Sequence, residues 1–150
     1  MDDYDELDTN YSRSYLYEYY WKNYVDAEVD PIQIPETELV EKWLMRNEID
    51  EFSYHDNFQC ADFSILLSYY ARKSFWNMGV IGIHGYNVDS KEPFHHALNV
   101  LNTTEGIVYI EPQLDELWWY DNHQEMYANH RWKIVEQDIF IESLEIMADY

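Results

Sequence analysis

NFQCADFSILLSYYARKSF, residues Asn57–Phe75, is the stretch on which the fold turns. Phe63, Leu66, Leu67, Tyr70 and Ala71 recur at the spacing of one helix face, so the stretch predicts a helix over about Phe58–Phe75 with an apolar inner side. Asp56 or Asn57 is placed to cap it, which puts Cys60 in the first turn. After Asn77 and Gly79 the period changes. Val80–Tyr86, His95–Leu101, Ile107–Glu111 and Trp132–Ile141 read as strands, with Gly106 marking the turn between the second and third. Helices first and strands after indicate an α+β domain, with the Cys60 helix packed on an antiparallel sheet.

Working outward toward the N-terminus, Pro31 and Pro35 bracket a short extended linker. Glu36, Glu38 and Glu41 then favour the amino end of a helix whose buried stripe is Leu39, Val40, Trp43 and Leu44. Tyr17, Tyr20, Trp21 and Tyr24 form a second aromatic stripe at helical spacing, best suited to a helix laid on the domain body. Residues 1–12 carry Asp2, Asp3, Asp5, Glu6 and Asp8 with little to bury and read as an acidic flexible tail. Residues 13–150 form a single domain.

Composition narrows the function. Thirty acidic residues against nine basic ones give a formal charge of -21. Phosphate affinity rests on Lys and Arg, so nucleic-acid binding is disfavoured, as is an anionic membrane surface. With 47% hydrophobic and 18% aromatic residues the chain is not disordered, and the charge forms a shell around a core. No apolar run reaches the roughly 18 residues of a membrane helix, and the acidic start is unlike a signal peptide. The expectation is a soluble, cytoplasmic protein unless an anchor has been trimmed, since Asp2–Asp8 also resembles the linker that follows one. The oligomeric state is not readable.

Cys60 is the single cysteine, which leaves no intrachain disulfide and no cysteine-rich zinc site. A thiol in a first helical turn lies beside unpaired N–H groups and the positive end of the helix dipole, both of which favour the thiolate. The bland alternative is a small buried hydrophobe. A hairpin centred between Thr103 and Thr104 sets His96 opposite Glu111, with Cβ atoms about 4.5–5.5 Å apart. A base oriented by a carboxylate and facing a helix-borne cysteine is the logic of a nucleophilic triad. His95 competes for the role of base, because adjacent strand residues face opposite sides.

The strings Asn57-Phe58-Gln59-Cys60-Ala61-Asp62-Phe63-Ser64, His96-Ala97-Leu98-Asn99 and Val108-Tyr109-Ile110-Glu111-Pro112 resemble the transglutaminase-like cysteine-hydrolase superfamily, particularly its small prokaryotic and archaeal members. The order Cys, His, acid is kept, at intervals of 36 and 15 residues. The resemblance covers Asn57 to Trp119. It implies a transglutaminase-like, papain-like core with Cys60 as nucleophile, His96 as base and acid, and Glu111 as orienting carboxylate. Glu111 departs from the aspartate more common before the proline. The implied activity is that of a hydrolase or acyltransferase, a cysteine protease or amidase acting on a peptide or protein substrate. The oxyanion donors would be the Cys60 N–H and Gln59 or Asn57.

No cofactor and no metal site are expected. His55, His84, His95, His96 and His123 contain no helical i, i+4 pair and fall in different segments. Asp115 and Glu116 read as solvated loop charges, and Trp118, Trp119 and Tyr120 as a cleft wall or a cover for a sheet edge. Asp62, Glu92, Asp115 and Glu116 predict a negative cleft that favours cationic or neutral peptides. Two other readings remain beside the enzyme: a transglutaminase-like fold used as a binding or assembly module with its triad idle, and an acidic decoy that mimics DNA.

Overall fold

A computed structural model of the chain describes residues 31–46, 60–112, 116–118 and 125–150; the side chains of Cys60 and of 116–118 lie outside that description. The acidic tail, the aromatic stripe at Tyr17–Tyr24, and Trp119 and Tyr120 also fall outside it. The described chain is α+β. Helix α1 (Thr37–Arg46) and helix α2 (Cys60–Lys73) precede strands β1 (Gly79–Asn87), β2 (Pro93–Thr103), β3 (Gly106–Glu111), β4 (Glu116–Trp118), β5 (His130–Ile134) and β6 (Gln137–Ala148). The strands form one sheet in the order β4-β3-β2-β1-β6-β5, every neighbour antiparallel. No helix among the described residues is long and apolar enough to cross a membrane.

The helices differ in how much they bury. On α1, Val40 and Leu44 are buried as the stripe predicts, but Leu39 is exposed. Thr37 N–H donates to Glu105 Oε1 at 3.0 Å and Thr104 N–H to the Pro35 carbonyl at 2.9 Å, which ties the start of α1 to the β2–β3 turn. On α2 the predicted face is buried, and Asp62, Ser64, Ile65, Ser68 and Tyr69 are buried with it. A helix enclosed on this many sides owes its stability to packing, at about 1.5–3 kcal/mol per large apolar side chain, more than to helix propensity. It stops at Phe75, whose φ of 65° lets Trp76 N–H reach back to the Ala71 carbonyl at 3.1 Å.

Two cores lie on opposite faces of the sheet, because side chains alternate along each strand. Leu101, Val108 and Ile110 pack with Phe63, Leu66 and Leu67 of α2 and with Val40 and Leu44 of α1. Ile81, Ile83, Leu98, Val100 and Tyr109 pack with Trp132, Ile134, Ile139 and Ile141, so the second face is closed by strands of the same sheet together with Met126. Register shifts at Val80/Ile81 and His84/Gly85 in the β1–β6 pairing supply the bending this requires. At the second shift the backbone comes so close that a Cβ on Gly85 would stand 2.0 Å from the Phe140 carbonyl oxygen.

The run Trp132–Ile141, expected as one strand, is a hairpin. Val135 and Glu136 form its turn with φ of 48° and 62°. Neither residue signals such a turn, since positive φ at both central positions normally calls for Asn or Gly.

Candidate active site

Of the expected trio, two side chains lie within the described residues, and they meet. His96 Nε2 and Glu111 Oε2 form a hydrogen bond across β2 and β3. The Glu111 side chain is 1% exposed and that of His96 is 12% exposed, so the carboxylate is sealed and the imidazole is only slightly open to solvent. The route differs from the expected one. Thr103 pairs with Gly106, which centres the hairpin between Thr104 and Glu105, one residue later than anticipated. Gly106 adopts φ 121°, and Thr103 Oγ1 donates to its carbonyl at 2.6 Å while accepting from Glu105 N–H at 3.2 Å. Continuing the register from Asn99–Ile110, Glu111 stands opposite Leu98 and diagonal to His96. A one-residue shift of the turn moves each partner by two residues, which preserves the face, and a diagonal of about 7–8 Å is within reach of long side chains. The extra methylene of Glu over Asp supplies that reach.

Cys60 is the first residue of α2. Ser64, one turn on, meets the sheet where its carbonyl accepts from Asn99 Nδ2 at 2.8 Å, and Ser68 Oγ donates to the Met78 carbonyl at 2.7 Å. Helix α2 therefore runs from the His95 end of β2 toward Gly79. One turn before Ser64 is about 6 Å along the axis, or roughly two strand residues, which brings the helix start level with Ala97.

The pleat separates the histidines. Ile83 pairs with His96 and Ile81 with Leu98, and these share the face of Tyr109. His84 pairs with His95, Gly82 with Ala97 and Val80 with Asn99, on the face that α2 covers through Ser64 and Ile65. His95 is thus on the side of α2, and the His96–Glu111 pair is on the other. Asn99 Nδ2 also donates to the Gly79 carbonyl at 3.3 Å, joining α2, β1 and β2 through one buried amide. Asn99 Oδ1 and Ser64 Oγ, both buried, have no hydrogen-bond partner among the described residues.

The expected negative cleft changes in part. Asp62 is 2% exposed and belongs to the interior of α2's packing, so it is not a charge that a substrate would meet in solvent. Glu92 is exposed near the β1–β2 turn; Asp115 and the Glu116 side chain lie outside the described residues. Tyr109, fully buried beside this hairpin, accepts a hydrogen bond from Met126 N–H at 2.5 Å, and burial pushes its hydroxyl well above the usual tyrosine range.

Sequence reasoning weighed His84 among the histidines and set it aside, without foreseeing its pairing with His95. Its Nδ1 lies 2.8 Å from Nδ1 of His95. The signal was present as two histidines flanking a hairpin, but a search for helical ligand spacing passes over a pair that strands create. In comparison with known proteins, no family model matches the chain and no curated protein matches it.

Proposed function

We propose that the chain is a transglutaminase-like cysteine hydrolase or acyltransferase acting on amide bonds of a peptide-like substrate. The observation that carries this reading is the buried Glu111 carboxylate hydrogen-bonded to the His96 imidazole, on the hairpin whose residues carry the family resemblance. Cys60 at the start of α2 supports it. With Nε2 bound to Glu111, Nδ1 of His96 is the nitrogen left to exchange a proton with Sγ, a step that requires the start of α2 to reach past the His95 end of β2 to the face of His96. The thiolate forms a bond to the carbonyl carbon. The C–N bond then breaks as His96 returns the proton to the departing amine. Water or a second amine, deprotonated by His96, attacks the thioester and releases Sγ. Glu111 holds the ring in one tautomer and offsets the charge of the imidazolium that forms.

A second reading is favoured by the pleat. Because α2 covers the face of His84 and His95, the His96–Glu111 pair also fits a polar staple in a non-catalytic, binding version of the same fold.

The two separate in one experiment at fixed neutral pH. The chain is treated with an acylating peptide probe, and labelling at Cys60 is followed by mass spectrometry. His96→Gln is expected to slow labelling by about 10²–10⁴-fold, the usual worth of a general base, and His95→Gln to leave it within a few fold. A wild-type rate no faster than that of a small-molecule thiol would sink the enzyme reading. The reverse order of the two variants would move the base to His95.

A further inference from the structure

His84 and His95 are direct cross-strand partners on β1 and β2, with ring centroids 5.1 Å apart, an interplanar angle of 62° and the two Nδ1 atoms 2.8 Å apart. At this distance the two rings share one hydrogen, the N–H of one donating to the lone pair of the other, and replacing that hydrogen by a cation leaves both nitrogens as donors. We propose that this pair binds a divalent first-row transition-metal ion, with Zn²⁺ as the probe. Nitrogen donors at 2.0–2.1 Å from zinc stand roughly 2.9–3.4 Å from each other when they occupy adjacent positions, so a shift of a few tenths of an ångström converts the observed spacing into a chelate. Each ring then offers the Nδ1 lone pair and carries its hydrogen on Nε2.

The surroundings fit a cation. The rings are at the surface, His95 exposed and His84 half-buried, and they stand on two strands paired over eight residue positions, from Gly79–Val100 to Tyr86–Pro93, so little ordering is needed on binding. An open cavity of about 390 Å³ lies next along the same two strands, with both Glu142 and Lys91 among its lining residues. The formal charge of -21 raises the local concentration of divalent ions. Among the described residues no group of three or more His, Cys, Asp or Glu side chains is arranged to hold a metal, so water completes the coordination. Imidazole selects zinc, nickel and copper over calcium and magnesium, which prefer carboxylate oxygens. This separates the pair from the acidic surface around it.

The test is calorimetric titration of Zn²⁺ into the chelator-treated full chain in the presence of millimolar Ca²⁺, which occupies carboxylate sites. One equivalent is expected to bind, with movement of the His84 and His95 Nδ1 nitrogen resonances. His84→Gln and His95→Gln should each abolish that equivalent, and His130→Gln, at an exposed histidine on β5, should retain it. Thermal melting that matches the wild type shows that the two variants remain folded. Absence of binding, loss of binding to Ca²⁺, or equal uptake by His84→Gln and His95→Gln would overturn the proposal.

Discussion

The two faces of the β1–β2 strand pair use polar residues in opposite ways. Under α2, Asn99 spends its amide on main-chain carbonyls of Ser64 and Gly79, and beyond the helix His84 and His95 meet each other at the surface. On the other face a carboxylate is buried beneath a histidine among Leu98, Val100 and Tyr109. The first arrangement anchors secondary structure and the second holds a charge out of water. A neutral amide bonded to carbonyls costs little to bury, whereas a carboxylate depends on its partner.

The largest effect should come from breaking the second face. His96→Ala leaves Glu111 buried without its imidazole and is expected to cost about 3–5 kcal/mol in urea unfolding, while His96→Ala with Glu111→Leu should recover most of that loss. If the double variant is no more stable than the single one, the pair is not what holds the carboxylate in place. Asn99→Ala tests the first face. Removing a donor from two main-chain carbonyls should cost about 1–3 kcal/mol, with faster amide exchange at α2 than at β5 and β6. Uniform acceleration across the sheet would show that Asn99 does not act locally on the helix.

The smallest effect concerns the hairpin that closes the second face. Val135→Asn with Glu136→Gly gives the turn residues that tolerate positive φ, and should raise stability by about 1 kcal/mol after allowing for the partly buried valine. A lower melting temperature would mean that the valine's contacts outweigh the strain it bears.

How far the chain could be read before folding depended on whether the cause was local. The α2 stripe Phe63, Leu66, Leu67, Tyr70 and Ala71 is set by helical period, and all five are buried. The hairpin that joins His96 and Glu111 was readable because Gly106 marks its turn, and because an error of one residue in the turn keeps the face. Leu39 misled, since α1 turns Val40, Trp43 and Leu44 to the core and leaves Leu39 in solvent. The Val135–Glu136 turn could not be read, because no residue there prefers positive φ and the conformation is imposed by Trp132, Ile134, Ile139 and Ile141 packing against β1–β3.

By itself, then, the sequence determined the helix that carries Cys60 in its first turn, expected over about Phe58–Phe75, the run of strands and the neighbourhood of His96 and Glu111, all of which follow from side-chain period and turn chemistry within a few residues. Tertiary structure alone decided which sheet face α2 covers, and so which of two adjacent histidines shares its side. It also brought His84 to His95. Alternation along a strand separates neighbours into two faces without saying which one receives the helix; that choice is made by Ser64, Ile65 and Asn99 packing across 35 residues of chain.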